Sequence, residues 1–156
     1  MSIGRYFRFM LADHYQVETA ADFLSFEFVS VGPRGRVIKA VRYTSIGFNQ
    51  FYNLGFGDKD PVSGYLSDTT VINNGDSQKV LATVASTLYT FTKRYPQATV
   101  VAAGSTEART RLYRIGIASN LAAIEADFVV LGLLADEWEP FRRDVAYSAF
   151  LAYRKL

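Results

Sequence analysis

The stretch NNGDSQKVLATVASTLYTFTKRYPQATVVAAGSTEARTRLYRIGI, residues 73–117, decides the fold. Within it Val80, Leu81, Val84, Leu88, Phe91 and Tyr95 recur at spacings of three and four, which places them on one face of an α-helix. The cluster Asn73-Asn74-Gly75-Asp76 supplies a start signal and Pro96 a stop, so the spacing predicts an amphipathic helix of about five turns. The run ATVVAAG, residues 98–104, is short, apolar and partly β-branched, as a buried central strand is. Ser105 or Thr106 then caps a second helix through Ile115, with Gly116 expected just past its end.

Working outward toward the N-terminus, FLSFEFVSV (residues 23–31) alternates, with Phe26 and Phe28 on one face and Ser25, Glu27 and Val29 on the other. Period two means a half-buried strand. Gly32-Pro33-Arg34-Gly35 provides turn chemistry before RVIKAVRYTSI, so the two runs read as an antiparallel hairpin. Phe51 to Gly57 reads as a third strand, Asp58 to Pro61 as a loop, and Tyr65 to Ile72 as a fourth strand or strand end. Toward the C-terminus, Ser119 to Asp127 reads as a short helix with Leu121 and Ile124 inward. Phe128 to Leu134 and Tyr147 to Arg154 read as strands flanking an acidic, Trp-containing loop at Asp136 to Pro140. The order βββ(β)αβαββ implies a mixed α/β class: a mostly antiparallel sheet packed by two main helices, with a parallel pair where a helix joins two strands.

Composition narrows the function. The chain has 156 residues, 49% hydrophobic, with 17 Lys+Arg against 15 Asp+Glu, which suits a single domain over residues 1–156. The absence of Cys removes thiol catalysis, disulfides and Cys-ligated zinc. A single His, His14, argues against a Ser-His-Asp triad or a multi-His metal site, and a lone imidazole reads as a surface residue. Near-balanced charge argues against nucleic acid as a partner, since such proteins carry a basic stripe. No apolar run reaches the roughly 18–20 residues a membrane span needs. Gly4, Arg5 and Arg8 interrupt the stretch from Ile3 to Leu11, so no secretory leader is read and a cytoplasmic location is expected.

Two polar clusters are candidate binding sites. Asn73, Asn74, Gly75, Asp76, Ser77 and Lys79 could hold an anion at a helix N-terminus with help from the lysine; the competing reading is that Asn74 or Asp76 simply caps the helix. Ser105, Thr106, Arg109 and Arg111 lie at a strand-to-helix junction, where open α/β sheets commonly bind ligands. Arg109, Arg111 and Arg114 could clamp a phosphate or carboxylate, or form a solvated basic face. Asn53 and Asp58 either line the same cleft or make turns. Asp58, Asp60 and Asp68 lack the spacing of a calcium loop, so no metal is expected. Trp138, between Glu137 and Glu139, either packs over a sheet edge or anchors an interface. The series Tyr43, Phe48, Phe51, Tyr52 and Phe56 has little interleaved basic charge and reads as core rather than as a base-stacking platform.

Ser105-Thr106-Glu107-Ala108-Arg109-Thr110-Arg111-Leu112-Tyr113-Arg114-Ile115-Gly116-Ile117 resembles the second-helix motif of the GNAT acyl-CoA N-acetyltransferase superfamily, and the element order is similar to its core. The resemblance implies acyl-CoA as cofactor and Tyr113 as the general acid that protonates the leaving thiolate. Residues 74–82 offer one glycine and an Asp where that superfamily's phosphate loop has two glycines, which favours a non-catalytic interaction or regulatory module over an acyl-CoA-dependent N-acyltransferase. Such a module would act through a protein partner or a homo-oligomer. Over nearly its whole length the chain also resembles a family of uncharacterised bacterial single-domain proteins, through Asn53 to Asp58, Asn73 to Ala85 and Gly104 to Ile117.

Overall fold

The computed structural model describes residues 11, 13–47, 50–67 and 73–156. In chain order these form β1 (Glu18–Thr19), β2 (Ser25–Gly32), β3 (Gly35–Ser45), β4 (Phe51–Asp58), α1 (Ser77–Arg94), β5 (Thr99–Ala102), α2 (Glu107–Ser119), α3 (Leu121–Asp127), β6 (Phe128–Leu134), β7 (Glu137–Pro140) and β8 (Ala149–Arg154). The strands make one eight-stranded sheet in the order β1-β2-β3-β4-β5-β8-β6-β7, mostly antiparallel. The mixed α/β class expected from the sequence is the class observed.

The hairpin of β2 and β3 forms as its alternation demands, with Phe26 opposite Val41 and Gly32 opposite Gly35. The same pleat puts Phe26, Phe28, Val41, Tyr43, Leu54 and Phe56 on one face, all buried. Helix α1 lies on that face. Its Phe91 ring stacks on Tyr43 with centroids 4.0 Å apart and meets Tyr52 edge-on at 5.0 Å. From the other half of the sheet Val100, Phe128, Val130 and Phe150 join the same core.

The helix between β4 and β5 makes that pair parallel, as expected, but only Phe51–Asn53 and Thr99–Val101 are in register. Beyond Asn53, β4 runs on to Asp58 without a β5 partner. Two carbonyls on that unpaired edge are taken by side chains of α2: the Arg109 guanidinium donates to Phe56 O, and the Tyr113 hydroxyl to Leu54 O at 3.4 Å.

Two sequence expectations are corrected, and a third falls mostly outside the described residues. Gly116 does not end the second helix, which runs on to Ser119; a Cβ there would lie 3.3 Å from Leu81 Cδ2, so this glycine serves a close approach of α2 to α1. The Trp-containing loop is strand β7, with Trp138 opposite Leu133, and the turn before it is made by Ala135 and Asp136, both at positive φ. The fourth strand expected at Tyr65 to Ile72 is represented at 65–67 by one bridge, Leu66 to Lys59, while residues 68–72 lie outside the described residues, as do Phe48 and the candidate Asp68.

Candidate functional site

The first polar cluster is a latch between α1 and the hairpin. Asn74 is buried, its Oδ1 accepting from Arg34 N at 2.7 Å while its Nδ2 donates to Gly35 O at 2.9 Å. The Asp76 carboxylate accepts from Ser30 Oγ and from the Tyr15 hydroxyl, each at 2.6 Å. Burial works to raise its pKa, but those two hydrogen bonds, with a backbone hydrogen bond and the Lys39 charge, outweigh it and hold the carboxyl below its ordinary value. Asp76 sits at the N-cap of α1 without a side-chain capping bond. A negative charge at this helix end disfavours a second anion there. Gly75 takes positive φ against Pro33, Asn73 Oδ1 accepts from Gly75 N, and Ser77 Oγ donates weakly to Asn73 Oδ1. Lys79 lies over the Tyr15 ring at 4.4 Å with Asp13 3.7 Å away. Asp76 thus occupies the N-cap position, one of the two readings, and its carboxylate also serves tertiary anchoring through Tyr15 and Ser30, which carry no motif that would have marked them.

Asn53 and Asp58 stand at opposite ends of β4 and, five residues apart, on opposite faces. Asp58 is buried and paired with Lys39, Nζ to Oδ1 2.5 Å. They do not share a cleft. Asp60 belongs to a turn, where Ser63 N and Val62 N donate to its carboxylate and lower its pKa. Among the described residues no three His, Asp or Glu side chains come together to hold a metal ion.

Tyr113 lies in the core, 9% exposed, with its hydroxyl on Leu54 O. Burial raises its pKa, the Arg109 charge only partly opposing. The hydroxyl therefore holds its proton and faces the β4 backbone rather than an open cleft.

The second polar cluster divides. Arg109 enters the gap beside β4, donating to Phe56 O and, at 3.0 Å, to Ser67 O. Arg111 lies 200° around the helix from it, and Arg114 a further 300°, so Arg111 and Arg114 share a face that Arg109 does not. Both line a cleft of about 580 Å³ with Gly104, Ser105, Thr106, Glu107, Thr110, Tyr147 and Ser148. Neither has a hydrogen bond or ion pair among the described residues, and Arg111 is exposed.

Local chemistry fixes the mouth of this cleft. Thr106 is in extended geometry at the N-cap of α2, its Oγ1 accepting from Arg109 N at 3.2 Å. Gly104 N donates to Thr110 Oγ1 at 3.1 Å, and a Cβ at Gly104 would lie 2.3 Å from Thr110 N, so only glycine lets strand and helix meet so closely. The opposite wall is Tyr147, whose hydroxyl donates to Glu139 Oε2 at 2.8 Å and accepts from Arg142 N at 3.1 Å. Burial and the neighbouring Glu139 carboxylate raise the Tyr147 pKa; the bond from Tyr147, with Arg142 beside it, lowers that of Glu139. Tyr147 and Ser148 were expected as the start of the last strand and not as site residues; the strand begins at Ala149, and these two lie in the connection before it, which carries no motif.

The cleft thus gathers two arginines and the first turn of a 13-residue helix, whose leading amides have no partner within the helix, against one carboxylate, Glu107. That arrangement attracts an anion with planar oxygens. Its size is that of small-molecule sites generally, about 300–1,000 Å³.

The model of a family of unknown function, DUF6934, matches residues 11–155, in keeping with the near-full-length resemblance carried by the motifs at Asn53, Asn73 and Gly104. No curated protein and no solved structure matches the chain. No helix among the described residues is long and apolar enough to cross a membrane.

Proposed function

The chain belongs to the DUF6934 family, whose function is unknown, and from that premise we propose that it is a non-catalytic, cytoplasmic binding module whose β5–α2 cleft takes a small anion. The observation that carries this is the pair of arginines, Arg111 and Arg114, that face a cleft at a helix N-terminus and have no partner among the described residues. Of the cleft's side chains only Glu107, Arg111, Arg114 and Tyr147 titrate, and Tyr147 is pushed toward keeping its proton. A lining with two guanidinium groups and neither histidine nor cysteine suits recognition of an anion better than turnover. A protein partner or a second copy of the chain would then read whether the cleft is occupied.

The acyl-CoA transferase reading rests on element order and on the motif around Tyr113. Tyr113 would have to leave the Leu54 carbonyl before it could serve a thiolate, and pyrophosphate would meet the Asp76 negative charge at the N-cap of α1. The binding reading meets neither obstacle.

Thermal denaturation in the presence of inorganic phosphate, acetate and acetyl-CoA separates the two. A ligand at 100 times its Kd adds about 2.7 kcal/mol to the folded state. Saturable stabilisation by phosphate or acetate, abolished in Arg111→Ala/Arg114→Ala, is the expected result. Stabilisation by acetyl-CoA alone, lost on altering Gly75 to Lys79 and accompanied by acyl transfer to an amine that Tyr113→Phe abolishes, would favour the transferase reading instead, and no response to any anion would remove both.

A further inference from the structure

Behind the cleft lies an apolar cavity of about 80 Å³ beneath α1 and α2. Its lining, which includes Leu81, Leu88, Gly116, Ile124 and Val130, is almost wholly carbon. Nothing there can hold a polar group, and such cavities stay dry or take apolar guests.

Cavity and cleft are built on the same three segments. The β5 segment gives Ala102 to the cavity and Gly104 to the cleft; the segment entering β8 gives Phe150 to one and Ser148 to the other. Two residues of extended chain cover only about 6.6 Å. On α2 the neighbours Tyr113 and Arg114 line cavity and cleft respectively. One chamber offers charge without apolar grip, the other apolar grip without charge.

We infer that the two chambers form one site for a small anionic amphiphile, with a carboxylate or phosphate monoester head on Arg111 and Arg114 and a straight alkyl tail entering the cavity between Tyr113 and Phe150. The inference rests on the anion-binding reading of the cleft and adds the class of ligand. The cavity is about half the ~150 Å³ that admits benzene, which sets the tail at roughly three to five carbons and excludes long fatty chains.

Isothermal titration of the whole chain with inorganic phosphate, acetate, propionate, butyrate, octanoate, butyl phosphate and 1-butanol tests it. Affinity should rise about fourfold for each methylene from acetate to butyrate, the increment expected for a buried CH₂. It should gain nothing further at octanoate. Butyl phosphate should bind more tightly than inorganic phosphate, and 1-butanol far more weakly than butyrate. Ala85→Leu fills the cavity from α1 and should erase the dependence on chain length; Ala152→Val tests the same wall from β8 if the first variant does not fold. Phosphate and acetate binding with no gain for butyrate or butyl phosphate overturns the two-chamber site while leaving the anion cleft standing. Chain-length dependence that survives the filling variant overturns it as well, as does 1-butanol binding as tightly as butyrate. Failure of every anion to bind removes the cleft reading along with it.

Discussion

Lys39 is 1% exposed, with its ammonium 2.5 Å from the Asp58 carboxylate. The pair is buried, and breaking a buried pair costs about 3–5 kcal/mol. Lys39→Met is therefore expected to lower stability by that order in urea titration, and Lys39→Met with Asp58→Leu to recover most of the loss. Asp76 makes a pH-dependent contribution. Its folded pKa lies below the ordinary carboxylate value of about 3.9, so its stabilisation is complete above that pH and is lost as pH falls through the folded value. Wild type should lose more stability than Asp76→Asn between about pH 5 and the folded pKa, and equal slopes of unfolding free energy against pH for the two proteins would contradict this. Tyr113→Phe removes one long hydrogen bond to Leu54 O, with an expected loss of about 0.5–1.5 kcal/mol and no change in any anion response of the cleft.

Elements with a strong period were legible, and the chain's joints were not. The β2–β3 hairpin and α1 follow from alternation and from three-and-four spacing, because each buries one face against the same core. β7 was read as a loop because Glu137-Trp138-Glu139-Pro140 is short, acidic and ends in proline, features of a protected sheet edge that look like a turn when neighbours are unknown. Gly116 looked like a helix end because glycine serves both that role and close packing, and only the position of Leu81 distinguishes them. Half of the candidate cleft, Ser105, Thr106 and Arg111, was visible as a polar strand-to-helix junction. The other half, Tyr147 and Ser148, comes from a segment some 35 residues away and depends on β8 inserting between β5 and β6. The junction itself makes a prediction. Gly104→Ala sets a Cβ against the backbone of Arg109 and Thr110, where no flexible side chain can yield. Overpacking of this kind costs about 1–3 kcal/mol, and the displaced α2 N-terminus should also weaken phosphate binding by the cleft; a midpoint of denaturation equal to wild type would refute the close contact.

At the scale of the molecule, the two halves of the sheet are joined by only three residues of parallel pairing between β4 and β5. Such a seam would allow β1–β4 and β5–β8 to unfold separately if backbone pairing were all that held them. Side chains say otherwise. Helix α1 spans the seam, placing Phe91 on Tyr43 and Tyr52 of the first half, while Arg154 of β8 donates to Thr92 Oγ1 at 2.8 Å and to Tyr89 O at 3.1 Å on the same helix. Arg109 and Tyr113 of α2 reach the free edge of β4 from the other side. One buried cluster therefore includes residues from both halves, and apolar burial rather than strand pairing should set the cooperativity. The single tryptophan allows a direct check, because Trp138 sits on edge strand β7, four strands away from the seam's first-half side. Its fluorescence reports the far edge of the second half, and far-UV circular dichroism reports the whole chain. The two should give superimposable urea transitions. A fluorescence transition that runs ahead of the dichroism would mean that the β5–β8 half opens on its own, and that α1 belongs energetically to the first half alone.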